Sequence, residues 1–321
     1  GAERLAANIT AMSGGRLTIK VYSAGELVPA LECFGAVANG TAQMGHDAGY
    51  YHTGKSEGCA FFTAFPFGFT MGEMAAWIKH GNGQKLWDEL YAPFGLRGFQ
   101  AGSTGTQMFG WFRREIRGLA DLQGLKFRTP GNQGRVLQKL GVIPVSLPGG
   151  EIFPALQSGA IDGAEWVGPY NDLALGFYQV CRYYYSPGYH EPGPALQLIV
   201  NEQAWRSLPS DLQAIVRAAA DAATTDMYAE YTAQSGPALR TLVQKHGVSV
   251  RSLPEDVLVA CGRKSNEVLN EIHAGDTSPN RIVRRIIEDF LAFRKDVIPW
   301  TRVGEQAFVN ARRLPFEFKL K

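Results

Sequence analysis

The sequence is poor in cysteine. Four occur in 321 residues, at positions 33, 59, 181 and 261. They lie far apart, with no spacing of the metal or redox type, so zinc-ribbon and CxxC chemistry lose their signature. Buried free thiols are the expected state, although spacing alone leaves a disulfide open. Long apolar runs are also missing. None reaches the roughly 18–20 residues that a membrane-spanning helix needs. Nor is there an excess of one charge: 32 Lys and Arg face 30 Asp and Glu, for a formal net charge of +2. Basic residues cluster only in pairs such as Arg113-Arg114 and Arg312-Arg313. A nucleic-acid partner, which calls for a basic stripe, is therefore not expected. The common catalytic signatures are absent as well: no Walker loop, no GxSxG elbow and no HExxH. Gly81-Asn82-Gly83 does not complete a dinucleotide fingerprint. There are no internal repeats and no low-complexity segment.

What is present is an ordinary globular composition, 45% apolar and 19% charged, on a chain long enough for two domains. Leu5, Ile9 and Met12 recur at helical spacing, and Gly14-Gly15 stops that helix. Leu17, Ile19 and Val21 alternate as a strand should. Helices are expected over 31–39 and 71–91, the latter weakened at Gly81 and Gly83. Strands are expected over 42–45, 96–101 and 107–112. From 125 to 165 the pattern alternates: strand 125–128, helix 132–140, strand 143–146, helix 151–157, strand 161–165. Such alternation predicts parallel strands joined by crossover helices. A strand over 194–201 follows. A helix signal of unusual reach then runs from Pro209 to Gly247, about 55 Å at 1.5 Å per residue, with a kink expected at Gly236-Pro237. Further helices are expected over 282–294 and 304–312.

The most informative stretch is Gly149 to Trp166, GGEIFPALQSGAIDGAEW. It opens a helix and ends in a strand that delivers Glu165 beside Trp166. Upstream, LKFRTPG stops a strand at Arg128. In open α/β sheets ligands sit beyond the carboxyl ends of the strands, which is where both charges fall. A guanidinium offers a planar fork that fits a carboxylate. A buried carboxylate must be paired, protonated or bound to a cation. Gln107 and Glu191 carry oxygens that could join Glu165 and the Trp166 carbonyl around a hard cation. His190-Glu191 lies in a Gly- and Pro-rich loop, PGYHEPG, with no second histidine at helical spacing; a plain turn is the weightier reading of that loop. Tyr50 and Tyr51 end an early strand, where a structural role outweighs ligand contact.

Together, segments such as AGELVPALECFGAV, FFTAFPFGFTMGEMAAW, TGTQMFGWFRREI, LQGLKFRTPG, GGEIFPALQSGAIDGAEWVGPYNDLALGFY and YYYSPGYHEPGPALQLIVN resemble the extracytoplasmic solute-binding proteins of tripartite ATP-independent periplasmic (TRAP) transporters. The branch they most resemble binds 2-oxo acids and related monocarboxylates. The resemblance implies an α/β, two-lobed periplasmic-binding-protein-like fold with mixed sheets, crossing strands and a long interlobe helix. It implies lobe I from 1–104 plus about 195–235, lobe II from 105–194 plus about 236–300, and a C-terminal helical extension over about 301–321. By position, Arg128 is the expected carboxylate-binding arginine. Gln107, Glu165, the Trp166 carbonyl and Glu191 are the expected ligands of a sodium or calcium ion bridged to the substrate. Tyr50 and Asn171 are weaker candidates for the pocket wall. The expected partners are a small organic acid anion, the TRAP membrane subunits and a second copy through the C-terminal helices. Relatives begin with an export signal and a strand ahead of the helix at Gly1, so a leader removed before Gly1 and a periplasmic location are expected. The function implied is capture and delivery, not catalysis. A ligand-sensing subunit for a signalling partner, or a metal-assisted enzyme acting on keto acids, are the alternatives.

Overall fold

The computed structural model describes residues 1–315, so positions 316–321 of the expected C-terminal extension lie outside the described residues. Nine strands form two sheets among them. They are β1 (Met44–Asp47), β2 (Leu96–Gly102), β3 (Gly110–Phe112), β4 (Lys126–Arg128), β5 (Ile143–Val145), β6 (Gly163–Ala164), β7 (Tyr183–Ser186), β8 (Leu196–Asn201) and β9 (Ser249–Ser252). The first sheet has the order β1-β8-β2 and is antiparallel throughout. The second has the order β5-β4-β6-β3-β7-β9. In it β4 pairs in parallel with β5 and β6, while β3 runs antiparallel to both neighbours. The alternation over 125–165 thus becomes three parallel strands with helices between them. The chain crosses between the sheets three times, from β2 to β3, from β7 to β8 and, through residues 202–248, from β8 to β9.

The register positions the site. Arg128 of β4 stands opposite Ala164 of β6, and the Glu165 amide donates to the Arg128 carbonyl at 3.0 Å. Both charged residues therefore leave their strands at one edge. Gly131, with φ +64°, turns the chain from Arg128-Thr129-Pro130 into the helix Gly131–Gln138. A side chain is rarely tolerated at that φ.

Two expectations are corrected. The alternation Leu17–Ile19–Val21 forms no strand among the described residues. Leu17 and Ile19 instead pack, half-buried, against the cluster of Leu5, Ile9, Phe99 and Trp205, so the apolar alternation serves burial without a ladder partner. Tyr50 and Tyr51 do not end a strand; β1 stops at Asp47, and the pair sits in a 3₁₀ turn, Gly49–His52. The long helix runs unbroken from Ser210 to Gln244, passing through Pro237. Residues 232–234 are exposed there, so the carbonyl left without a partner four residues before the proline can meet water. The N-terminal half of this helix buries Val216, Ala219 and Ala220 near the first sheet, and Leu242 near its end joins Trp111 beside the second. The helix Ile282–Val303 packs against the segments 57–62, 71–80 and 83–91.

Aromatic packing fills the largest core. Phe62 is stacked between Trp77 and Trp87, with ring centroids 5.3 and 4.9 Å away. Burying one such ring is worth about 1.5–3 kcal/mol. All four cysteines are free, and burial pushes the Cys59 and Cys181 thiols up to about 12.

The crossing segment 187–195 is locked by a close approach. A Cβ on Gly193 would lie 2.0 Å from the Met71 amide nitrogen, at the start of the helix Met71–His80. Backbone atoms cannot yield as a side-chain tip can. Gly193→Ala is expected to lower stability by about 1–3 kcal/mol, the usual range for overpacking. Urea unfolding with an unchanged midpoint would contradict this close contact.

Candidate functional site

The strand edge brings Arg128 into a buried position, with 1% of its surface exposed. Its Nε donates to the Leu147 carbonyl at 3.0 Å, and Nη1 donates to the Glu165 carbonyl at 2.9 Å and to Glu165 Oε1. Nη2 lies 3.4 Å from the Tyr51 hydroxyl. The Trp166 ring covers the guanidinium at 5.2 Å. Behind that ring, a Cβ on Gly149 would lie 2.4 Å from its edge, so a glycine opens the helix Gly149–Ser158.

Three segments carry the oxygens, and backbone bonds stitch them together. The Gln107 amide donates to the Glu191 carbonyl at 3.1 Å, and the Met108 amide donates to the Val167 carbonyl at 2.9 Å. The Gln107 side-chain amide donates to Glu191 Oε2 at 2.7 Å and leaves its own Oε1 buried without a partner. Glu165, His190 and Glu191, all buried, place one ligand atom each within 4.8 Å of one another. His190 Nε2 stands 3.4 Å from Glu165 Oε2. A single guanidinium faces two carboxylates here. Burial first, and then the Glu165 charge, push the Glu191 carboxyl well above the ordinary carboxylate range; Arg128, Tyr50 and Gln107 pull it back in part. Burial and the Glu191 charge likewise hold the Tyr50 phenol well above its usual value, so it remains a donor. Paired buried carboxylates, a spare amide oxygen and a neighbouring peptide carbonyl are the donor set of a hard cation. The residues present therefore fit sodium or calcium.

Of the residues picked out in the sequence, Arg128, Gln107, Glu165, Trp166 and Glu191 lie together in this cluster. Tyr50 packs on Gly131 and turns its hydroxyl to the Glu191 carboxyl, while Tyr51 is the tyrosine that reaches Arg128. Asn171, on the helix Pro169–Leu175, hydrogen-bonds none of the charged groups among the described residues; its neighbour is Tyr231 of the long helix. His190 enters the cluster although its loop reads more readily as a plain turn. Thr129, Asn132 and Gln133 carry buried polar atoms without partners next to Arg128 in the chain; nothing in their spacing marks them.

A two-sheet α/β protein with three crossing segments and buried charges at a sheet edge has the architecture of a solute receptor. The chain belongs to the bacterial extracellular solute-binding proteins, family 7, whose profile matches residues 1–276. These are the receptors of TRAP transporters. It is 41% identical over 310 residues, 97% of this chain and 84% of the other, to a monocarboxylate 2-oxoacid-binding periplasmic protein of Nostoc sp.. Its fold matches a TRAP solute-binding protein of Bordetella bronchiseptica (TM-score 0.93, 36% identity, 97% and 91% covered), a dimer with calcium and picolinate bound at one site and the other empty. It also matches one of Pseudoalteromonas atlantica (TM-score 0.92, 40% identity, 98% and 94% covered) with bound sodium and pyruvate. No helix among the described residues is long and apolar enough to cross a membrane.

The strain between the carboxylates has a definite sign. The raised folded value of Glu191 means that its stabilising contribution is present below the ordinary carboxylate range and is lost as pH rises through that raised value. Glu191→Gln, measured in chelator-treated protein, is therefore expected to raise Tm by about 2 °C or more. The gain should be larger at about pH 8 than at about pH 4. A Tm lowered at both pH values would show that the carboxylates do not oppose each other.

Proposed function

We propose that the chain captures a small 2-oxo or 2-hydroxy monocarboxylate through a sodium or calcium ion and delivers it to the membrane subunits of a TRAP transporter. The observation that carries this reading is the buried guanidinium beside two buried carboxylates. Arg128 spends Nη1 on Glu165 and keeps Nη2, beside the Tyr51 hydroxyl, for the acid's carboxylate. Gln107, Glu165, the Trp166 carbonyl and Glu191 hold the cation, and His190 steadies Glu165. A 2-oxo acid offers a carboxylate and an adjacent oxygen, which a cation can chelate together. With calcium, the two glutamates, Arg128 and a monoanionic acid are formally neutral; with sodium they keep one negative charge. A bound cation removes the like-charge repulsion that an anionic ligand would otherwise meet. The pyruvate and picolinate of the similar receptors have this chemistry.

The two sheets serve as cores of two lobes, 1–104 plus about 195–235 and 105–194 plus about 236–300, which close on the ligand by a hinge at the crossing segments. Tyr50 and Asn171 line the pocket wall. The location is periplasmic and the role is binding, not turnover. The C-terminal helices leave Trp300, Val303 and Phe308 exposed at 70%, 73% and 65%, a face suited to a second copy of the chain.

Arg128→Ala is expected to weaken pyruvate binding by about 2–5 kcal/mol, the range for truncating one partner of a buried charged pair. Titration calorimetry with unchanged affinity would remove Arg128 from the site. Chelator-treated protein is expected to bind the acid more weakly and to recover on adding calcium or sodium. Equal affinity with and without the ion would remove the cation from the mechanism.

A further inference from the structure

We propose that Asp172 is a positioning residue that fixes and polarises the Trp166 carbonyl for the bound cation; this rests on the cation reading above. Asp172 is 1% exposed and directs both carboxylate oxygens at named donors. Oδ1 accepts from the Val167 amide at 3.2 Å and the Gly168 amide at 3.1 Å. Oδ2 accepts from Trp111 Nε1 at 2.9 Å and from the Tyr184 hydroxyl at 2.7 Å. Burial pushes its carboxyl up to about 6, while the four donors that converge on it favour the ionised form.

The Val167 N–H belongs to the same peptide unit as the Trp166 C=O. That peptide is trans, the cis bond among the described residues being Ser186–Pro187. In a planar trans peptide the N–H and C=O point in opposite directions. An anion holding the N–H therefore sends the carbonyl out on the far face, where it accepts no hydrogen bond among the described residues. The same anion pulls electron density along the amide toward that oxygen, which strengthens it as a ligand. The next peptide unit is held on both sides, its Val167 carbonyl by the Met108 amide and its Gly168 N–H by Asp172, so the segment cannot swivel about its far end. Trp111 and Tyr184, stacked at 3.9 Å, orient Asp172 from behind without touching the 166–168 segment through hydrogen bonds.

The test compares Asp172→Asn with Trp111→Phe. Asparagine retains an acceptor for the two amides but removes the charge; phenylalanine removes one donor to Oδ2 and leaves the clamp on the peptide. Calcium affinity by calorimetry, terbium luminescence sensitised through Trp166, and the Tm of the metal-free protein are read for each. Asp172→Asn is expected to weaken calcium binding about tenfold, within the span usual for partners that orient metal ligands, and to dim the terbium signal at fixed concentration. Trp111→Phe is expected to lower Tm while leaving calcium affinity within about threefold. Calcium affinity in Asp172→Asn equal to that of the unaltered protein, or falling equally in both variants, overturns the proposal while the cation reading stands. An unaltered protein that binds none of calcium, terbium and sodium overturns both. If Asp172→Asn does not fold, the Val167 amide resonance of the unaltered protein gives a second reading. Calcium should move it downfield, and a resonance that calcium leaves in place overturns the proposal.

Discussion

The contact between Arg128 and Glu165 is the constraint on which the rest of the site depends. Two full charges sit where almost no water reaches them, which is costly unless each is paired and hydrogen-bonded. The strand register supplies both conditions. Arg128 and Ala164 lie opposite one another, so the carboxylate one residue further on meets the guanidinium, and the Leu147 carbonyl takes Nε. The pair is thereby satisfied on its inner side. Its unsatisfied side is the second carboxylate, Glu191, which arrives on the crossing segment between β7 and β8. One positive group cannot neutralise both, and the proposed cation would answer the excess negative charge.

Rigidity comes from elsewhere. Gln107, Trp166 and Glu191 stand on loops, and loops are ordinarily the mobile part of a fold. Here each loop is tied to the next by a backbone hydrogen bond, and the 166–168 segment is tied again by Asp172. Ligand oxygens attached to such a frame have little conformational freedom left to lose on binding, which is how preorganisation raises affinity. The close approach of Gly193 to the start of the Met71–His80 helix fastens the same crossing segment to the first sheet's helical layer.

A solute receptor must let its ligand in and out, which two separate sheets allow and a single unbroken slab would not. The chain passes between them three times, near residues 103–109 and 187–195 and along the long helix, and Gln107 and Glu191 lie on the first two passages. In the proposed closure, motion about these crossings would change the distance between the sheets and also the relation of Tyr50 and Tyr51, on the first sheet's side, to Arg128 on the second. In that reading the buried charges and the hinge are parts of one device.

Much of the fold was legible in local pattern. The strand–helix alternation over 125–165 fixed three parallel strands because period-2 and period-3.6 patterns, with glycines between them, leave few other arrangements. The ends of those strands announced Arg128 and Glu165. The alternation at Leu17–Val21 misled because apolar alternation reports burial, and a strand also needs a neighbour to bond to. His190 and Asp172 were not legible as parts of a site: a histidine in a Gly/Pro loop and an acid after Pro-Tyr-Asn have no spacing rule. Their meaning comes from atoms 25 and 61 residues away in the chain, Glu165 and Trp111. What the amino-acid order alone determined was which elements form and which charges end them, since those follow from steric preference and periodic burial. What the tertiary structure alone decided was which charges meet, because strand register and loop stitching set distances that no local pattern encodes.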